Sequence, residues 1–290
     1  MSDGLRQRVV TALILLVALI ALTLLTTPLT FAAAVAVIVV LAAWEWSALA
    51  RIGGVTSRLL YTLTVFISLL GAAALCGFWS GAGAFVFFRV VLILCAGVLW
   101  WCVAAFLLTG YPGNSARWNH RATIGLMGLL ALVPTWTGLV ALKVILHSGY
   151  LVLGVVIAVA AVDVGAYFAG RFLGNRPLAP SLSPKKTWEG VWGGFVTCCA
   201  VSAVLVWGAQ RYLLELSLVQ ISVLLLSCIT TTLFAVVGDL VESMLKRNSD
   251  LKDSGSILPG HGGVLDRVDG LLAVAPMSVL VLMLALDWAR

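Results

Sequence analysis

Long apolar stretches, separated by short polar ones, recur along this chain. Each is about 20 residues, enough for a helix to cross a hydrocarbon layer of about 30 Å. The pattern predicts about nine spans. They run roughly over Val9–Leu25, Leu29–Ala48, Leu60–Phe78, Phe85–Leu108, Thr123–Leu146, Leu151–Leu173, Val191–Ala209, Leu218–Leu240 and Leu271–Trp288. No segment shows the short alternating strands of a membrane barrel. The expected fold class is all-α: a polytopic integral membrane helical bundle. Only Thr26, Thr27 and Pro28 separate the first two spans, which are read as two helices or one broken pair. The first run follows Arg6 and Arg8 in the manner of a signal peptide. It lacks a small-residue cleavage site and leads at once into another span, so it is expected to stay as the first helix.

Charge orients this bundle. Hydrophobic residues make up 62% of the chain and charged residues 10%, with a mean hydropathy of +1.10, which excludes an ordinary soluble domain. The net charge of +6 does not imply nucleic acid, because the basic residues are spread among loops beside apolar spans. With the N-terminus in the cytoplasm, Arg6, Arg8, Arg51, Arg58, Arg117 and Arg121 all fall inside. So do the basic residues from Arg171 to Lys186 and from Lys246 to Arg267, which leaves only Arg211 and Arg290 outside. Within spans, Lys143 is expected to snorkel, and Arg89 to snorkel or pair with a neighbour. Trp44 and Trp46 are expected at the membrane interface, with Glu45 between them solvated. The six cysteines, Cys76, Cys95, Cys102, Cys198, Cys199 and Cys228, lie in apolar segments without metal-ligand spacing and read as packing residues.

The chain reads as a single transmembrane domain over residues 1–290. Residues 1–150 are plain spans that serve as scaffold and face lipid. Residues 151–290 form the half that carries chemistry, with charged loops at 171–190 and 241–270.

Asp163 stands inside the sixth span, where a carboxylate is costly and marks function by default. A structural pairing with Arg171 or Tyr167 is the competing explanation. Gly165 and Gly170 on the same span would let another helix come close. The loop that follows offers Ser183, Lys185, Lys186, Thr187 and Glu189, two cations and a hydroxyl suited to a phosphate. Read alone it is a solvated loop; a second charged loop on the same face makes a shared site an equal reading. That second loop carries Lys246, Arg247, Lys252 and Arg267 among Asp250, Asp253, Asp266 and Asp269. At its centre, Pro259-Gly260-His261-Gly262-Gly263 lets backbone N–H groups approach an anion. Asp239 ends the eighth span, with Glu242 beside it and Lys246 one turn further on. Oxygen ligands without cysteine or histidine suit Mg²⁺. Asp239 with Asp266 would supply carboxylates from two segments, and Asp269 and Glu242 are further possible metal ligands.

The pattern Ser243-x-x-Lys246-Arg247, Lys252-Asp253-x-Gly255, Leu258-Pro259-Gly260-His261-Gly262-Gly263, Asp266-Arg267-x-Asp269 resembles the signature of the phosphatidate cytidylyltransferases, the CDP-diacylglycerol synthases. Two upstream segments resemble that family as well: Asp163-x-Gly165-Ala166-Tyr167-Phe168-x-Gly170-Arg171 and Ser183-Pro184-x-Lys186-Thr187-x-Glu189-Gly190. The resemblance implies a membrane enzyme that joins CTP and phosphatidate to give CDP-diacylglycerol and diphosphate. It also implies magnesium, a second monovalent cation such as K⁺, and Asp239 and Asp266 as metal ligands. The expected catalytic set is Asp239, Asp266, Lys246, Arg247, Lys252, Arg267 and His261. His261 is not cast as a base, because the attacking phosphate is already ionised. Lys186, Ser183, Thr187, Asp163, Gly262 and Gly263 are expected to touch substrate phosphates or metal. The expected partners are CTP, phosphatidate, the lipid bilayer and, in a homodimer, a second copy. The expected location is a bacterial cytoplasmic (inner) membrane with the site on its cytoplasmic side. A cation-coupled transporter is one alternative; it suits Asp163 but not acids gathered at one face. Another membrane nucleotidyl- or phosphotransferase is the other.

Overall fold

A computed structural model describes residues 3–78, 86–213, 215–258 and 262–285. Ten helices and one small hairpin follow in order. They are α1 (Asp3–Leu25), α2 (Pro28–Leu49), α3 (Val55–Cys76), α4 (Phe87–Thr109), α5 (Ser115–Trp118), α6 (Arg121–Ile145), α7 (Tyr150–Leu173), β1 (Pro177–Ala179), β2 (Ser183–Thr187), α8 (Trp188–Tyr212), α9 (Leu218–Asn248) and α10 (Leu265–Ala285). Among the described residues, eight helices are long and apolar enough to cross a membrane. The first expected span contributes a shorter apolar stretch, Leu13–Leu25. The chain is thus an all-α integral membrane protein.

The first two spans are separate helices. Thr27 is extended and its hydroxyl accepts from the Thr30 amide, while Pro28 takes the first helical position. That is the cap-then-proline start of a new helix, where the missing proline N–H costs nothing. α9 opens with a full capping box at Ser217 and Gln220. It then continues past the apolar run to Asn248, about 46 Å in all. That is longer than a hydrocarbon layer of about 30 Å requires, and its last turns carry Glu242, Lys246 and Arg247.

α6 is the central helix, packed against α2, α3, α4 and α10. Lipid offers no hydrophobic contrast between helices, so close approach and buried hydrogen bonds hold such a bundle. Trp46 Nε1 donates to the Ile124 carbonyl at 2.8 Å and Trp136 Nε1 to the Ala32 carbonyl at 3.0 Å. Gly97 on α4 faces Pro134 of α6 and Pro276 of α10; a Cβ there would stand 2.6 Å from Pro134. Pro276 has no N–H, so the carbonyl of Leu272 loses its helical donor. Thr135 Oγ1 of α6 lies 2.9 Å from that carbonyl and 2.8 Å from the Ala131 carbonyl of its own helix, so its one proton is shared between the two. Thr135→Val is expected to destabilise the bundle by about 1 kcal/mol. The check is the thermal unfolding midpoint in detergent, with Thr137→Val, whose hydroxyl bonds only within α6, as control.

α7 and α8 form a second tight pair. Gly165 and Gly170 do lie at this contact: a Cβ at Gly165 would meet Thr197 and, at 2.6 Å, the Gly193 carbonyl, and one at Gly170 would stand 3.3 Å from Thr187 Oγ1. The hairpin β1–β2 joins the two helices at the end of the bundle where α2, α9 and α10 meet.

Of the two basic residues within spans, Lys143 departs from its expected snorkelling, and Arg89 pairs with a neighbour as expected. Lys143 is fully buried rather than snorkelling, and its Nζ donates to the carbonyls of Thr23 and His147, both at 2.6 Å. The carbonyls at a helix C-terminus lack helical donors, and this cation satisfies them. Arg89 acts similarly, donating from NH1 to the Leu75 carbonyl at the end of α3, 2.9 Å away. The six cysteines are free thiols; Cys76, Cys198 and Cys228 are buried in the core.

Candidate active site

Helix geometry sets the first part of the site. Asp239, Glu242 and Lys246 succeed one another on α9 at spacings of three and four, so they share a face. Gly238 lets α10 come against that face: a Cβ there would lie 2.5 Å from the Asp269 carbonyl and 3.1 Å from Ala273 Cβ. The close approach brings Asp269 to Asp239 and Glu242. One carboxylate oxygen from each of the three lies within 4.8 Å of the others. Glu242 is only 5% exposed. Its Oε2 accepts from Lys246 at 2.9 Å, and its Oε1 is buried without a hydrogen-bond partner among the described residues. Asp269 Oδ1 accepts from the Gly270 amide at 2.8 Å.

Three carboxylates this close repel one another unless cations stand between them. Two lysines partly fill that need. Lys246 lies between Glu242 and Asp266, and Lys186 of β2 ion-pairs with Asp239. The unpartnered oxygen of Glu242 marks what remains unsatisfied. A group of carboxylate oxygens without sulfur or imidazole fits a hard divalent cation such as Mg²⁺.

Asp266 is not one of these three, although it neighbours Glu242 through the shared Lys246 ammonium. The expected pairing of Asp239 with Asp266 is not the one the bundle brings together; Asp239 meets Glu242 and Asp269 instead. Asp266 lies in the first turn of α10. Its Oδ1 accepts from Lys246 at 2.8 Å, and both oxygens accept from the Ser254 amide at 3.2 and 3.0 Å. Its Oδ2 also accepts from Gly263 N at 2.9 Å. The carboxylate thus folds the loop between α9 and α10 back onto the helix start, a favourable place for negative charge. Gly262, at φ +84°, takes the left-handed conformation this return requires. Its carbonyl accepts from the Leu258 amide at 2.9 Å.

The other expected site residues are distributed around this centre. Asp163 on α7 is in electrostatic reach of Asp239, Asp269 and Lys186. Arg171 does not pair with it; its NH1 donates to the Tyr167 hydroxyl at 2.8 Å. Thr187 is the N-cap of α8, accepting from Gly190 N at 3.2 Å, and Ser183 opens β2. Glu189 accepts from the amides of Asn175 and Arg176, both at 3.1 Å, which closes the turn into the hairpin. Arg247, Lys252 and Arg267 are exposed along the loop and its flanking helix ends. His261 lies outside the described residues, with Pro259 and Gly260.

Glu45 departs from its expected solvation. It is 2% exposed. Its Oε2 accepts from Leu265 N at 2.9 Å and lies 3.3 Å from Ser254 Oγ. These partners are 220 and 209 positions away along the chain, so local pattern carries no sign of them. The one local signal is an acid flanked by two tryptophans at the end of an apolar helix.

Comparison with known proteins covers nearly the whole chain. The model of the cytidylyltransferase family matches residues 6–285. The phosphatidate cytidylyltransferase of Pseudomonas aeruginosa is 39% identical over 285 residues, covering 98% of this chain and 97% of that protein. The one from Haemophilus influenzae is 36% identical over 281 residues, 94% and 96% of the two chains. The Bacillus subtilis phosphatidate cytidylyltransferase is 44% identical over a shorter stretch of 128 residues, 44% of this chain and 45% of that protein. A polytopic helical bundle that gathers its charged loops at one end, matched from Arg6 to Ala285, belongs to the cytidylyltransferase family.

Proposed function

We propose that this protein transfers the cytidylyl group of CTP to phosphatidate, giving CDP-diacylglycerol and diphosphate, with a magnesium ion held by Asp239, Glu242 and Asp269. The observation that carries this reading is the carboxylate cluster, with its buried unpartnered oxygen on Glu242, set between Lys186 and Lys246. The near-full-length relatives, both phosphatidate cytidylyltransferases, support the choice of substrates.

In the reaction a phosphate oxygen of phosphatidate bonds to the α-phosphorus of CTP, and the bond to the β-phosphate oxygen breaks. The electron pair leaves with diphosphate. Both reactants are anionic, so the protein must align them and neutralise charge. The magnesium ion supplies charge neutralisation to the CTP phosphates when bound. Lys186, on a hairpin that touches α7 and α8, is placed to exchange Asp239 for a phosphate. Arg247, Lys252 and Arg267 line the loop where further phosphate charge can be met. Lys246 acts differently, tying Glu242 to Asp266 and so keeping α9 and the loop in register. The attacking phosphate is ionised near neutral pH, and no general base is needed. The loop basic residues and the positive-inside rule support a site at the cytoplasmic face of a bacterial inner membrane.

The test is direct. The purified full-length protein in detergent micelles is given radiolabelled CTP and phosphatidate. Labelled CDP-diacylglycerol is expected with Mg²⁺ and is expected to disappear with EDTA. A monodisperse, folded sample that forms no Mg²⁺-dependent product would turn the reading toward a transporter. Competition by other lipid phosphates or other nucleotides, if stronger than by phosphatidate or CTP, would reassign the substrate.

A further inference from the structure

We propose that Glu45 is a positioning residue: its buried carboxylate latches the loop between α9 and α10 to the N-terminal helices and sets where Asp266 and Asp269 stand. α2 delivers this side chain from the half of the chain that otherwise reads as scaffold. Glu45 Oε2 accepts from the Leu265 amide, the first of α10, and lies within reach of the Ser254 hydroxyl. Both partners are buried. Asp266 accepts from the Ser254 amide in the same turn, so one serine joins the two carboxylates. Two glycines lie flush against Glu45. A Cβ at Gly263 would stand 2.7 and 2.8 Å from its two oxygens, and one at Gly255 would meet Oε1. The loop backbone is therefore moulded around the carboxylate. Glu45 Oε1 is buried without a hydrogen-bond partner among the described residues.

A carboxylate so placed is costly unless the loop stays closed on it. Among the described residues, Leu251, Leu258 and Val264 pack the loop's two ends on the core and Asp266 holds Ser254 and Gly263, while Lys252, Asp253, Ser256 and Ile257 are exposed. Glu45 is the contact that ties this stretch to α2. Closing the loop fixes the start of α10, and Asp269 lies in the second turn of that helix. Glu45 thereby acts on the carboxylate cluster through the backbone rather than by touching substrate.

The consequence for turnover rests on the metal reading proposed above; the latch itself does not. The experiment is hydrogen–deuterium exchange on the metal-free full-length protein in detergent, comparing wild type, Glu45→Ala and Glu45→Gln. Glu45→Ala is expected to speed exchange across residues 249–265 by about tenfold to a hundredfold, the effect of losing a hydrogen bond to a charged acceptor. α6 and α7 are expected to stay protected. Glu45→Gln keeps an oxygen for Leu265 N and is expected to restore most of the protection. In the assay, Glu45→Ala is expected to raise the Mg²⁺ concentration for half-maximal rate about tenfold, with KM for phosphatidate unchanged. Wild-type exchange in Glu45→Ala would overturn the latch, as would an equal loss in both variants spread over α2 and α6. If Glu45→Ala does not fold, Ser254→Ala removes one arm of the latch without a cavity in α2. Faster exchange confined to the loop then supports the proposal, and unchanged exchange overturns it. Failure of the magnesium reading would appear only in the rate arm and leave the exchange arm intact.

Discussion

Asp239→Asn is expected to lower turnover about 10²–10³-fold, the loss typical of removing one fixed electrostatic contact from a reacting centre. The fold is expected to survive. Asp239 has a side chain 40% exposed, and its ion-pair partner Lys186 lies on the hairpin, 24% exposed. An ion pair this accessible contributes about 0–1 kcal/mol. The variant should therefore insert, run as a single species in detergent, and melt within a few degrees of wild type while losing Mg²⁺-dependent product. The Mg²⁺ requirement is the decisive readout: a ligand's loss raises it, and a general defect lowers the rate at every Mg²⁺ concentration. A wild-type rate in Asp239→Asn would remove this carboxylate from the site.

Asp266→Asn is expected to be as damaging by a different route. Its side chain is 10% exposed and accepts from one ammonium and two backbone amides. Hydrogen bonds to a charged acceptor contribute about 1.5–3 kcal/mol each. Turning one oxygen into an NH₂ sets a donor against donors and leaves Lys246 with Glu242 alone. The loop should open, α10 should lose its anchored start, and activity should fall about 10²-fold, as misplacement by about 1 Å does elsewhere. Hydrogen exchange separates this from the first case. Asp239→Asn is expected to leave the loop protected, and Asp266→Asn to expose it. A protected loop together with a raised Mg²⁺ requirement in Asp266→Asn would instead make Asp266 a metal ligand, as the family resemblance implies.

Some of this arrangement is local and can be read directly from residue order. Asp239, Glu242 and Lys246 fall on one helical face because 3.6 residues make a turn, whatever surrounds them. Asp266 and Asp269 are different. Three positions apart at the start of a helix, both are available to a cation by spacing alone. Which of them meets Asp239 depends on the angle at which α10 leaves the loop. That angle follows from Gly238, which admits the Asp269 backbone, and from Ser254 and Gly263, which hold Asp266 away. Lys143 and Glu45 escape a local reading for one reason: a charge beside an apolar span is normally solvated, and only a distant partner offsets the cost of burial. For Lys143 that partner is the Thr23 carbonyl, and for Glu45 it is the Leu265 amide.

Residue order by itself determined a helical membrane protein with its charged loops on one face, since lipid admits apolar helices and little else across it. It also carried the resemblance to the family, because the charged and glycine positions from Ser243 to Asp269 are set by residue order alone. Only the tertiary structure decided which carboxylates stand close together, which lysine bridges α9 to the loop, and that α2 reaches the loop before α10. Those outcomes depend on contacts between segments up to 220 positions apart. Helix crossing and buried hydrogen bonding set them, and neither leaves a periodic trace along the chain.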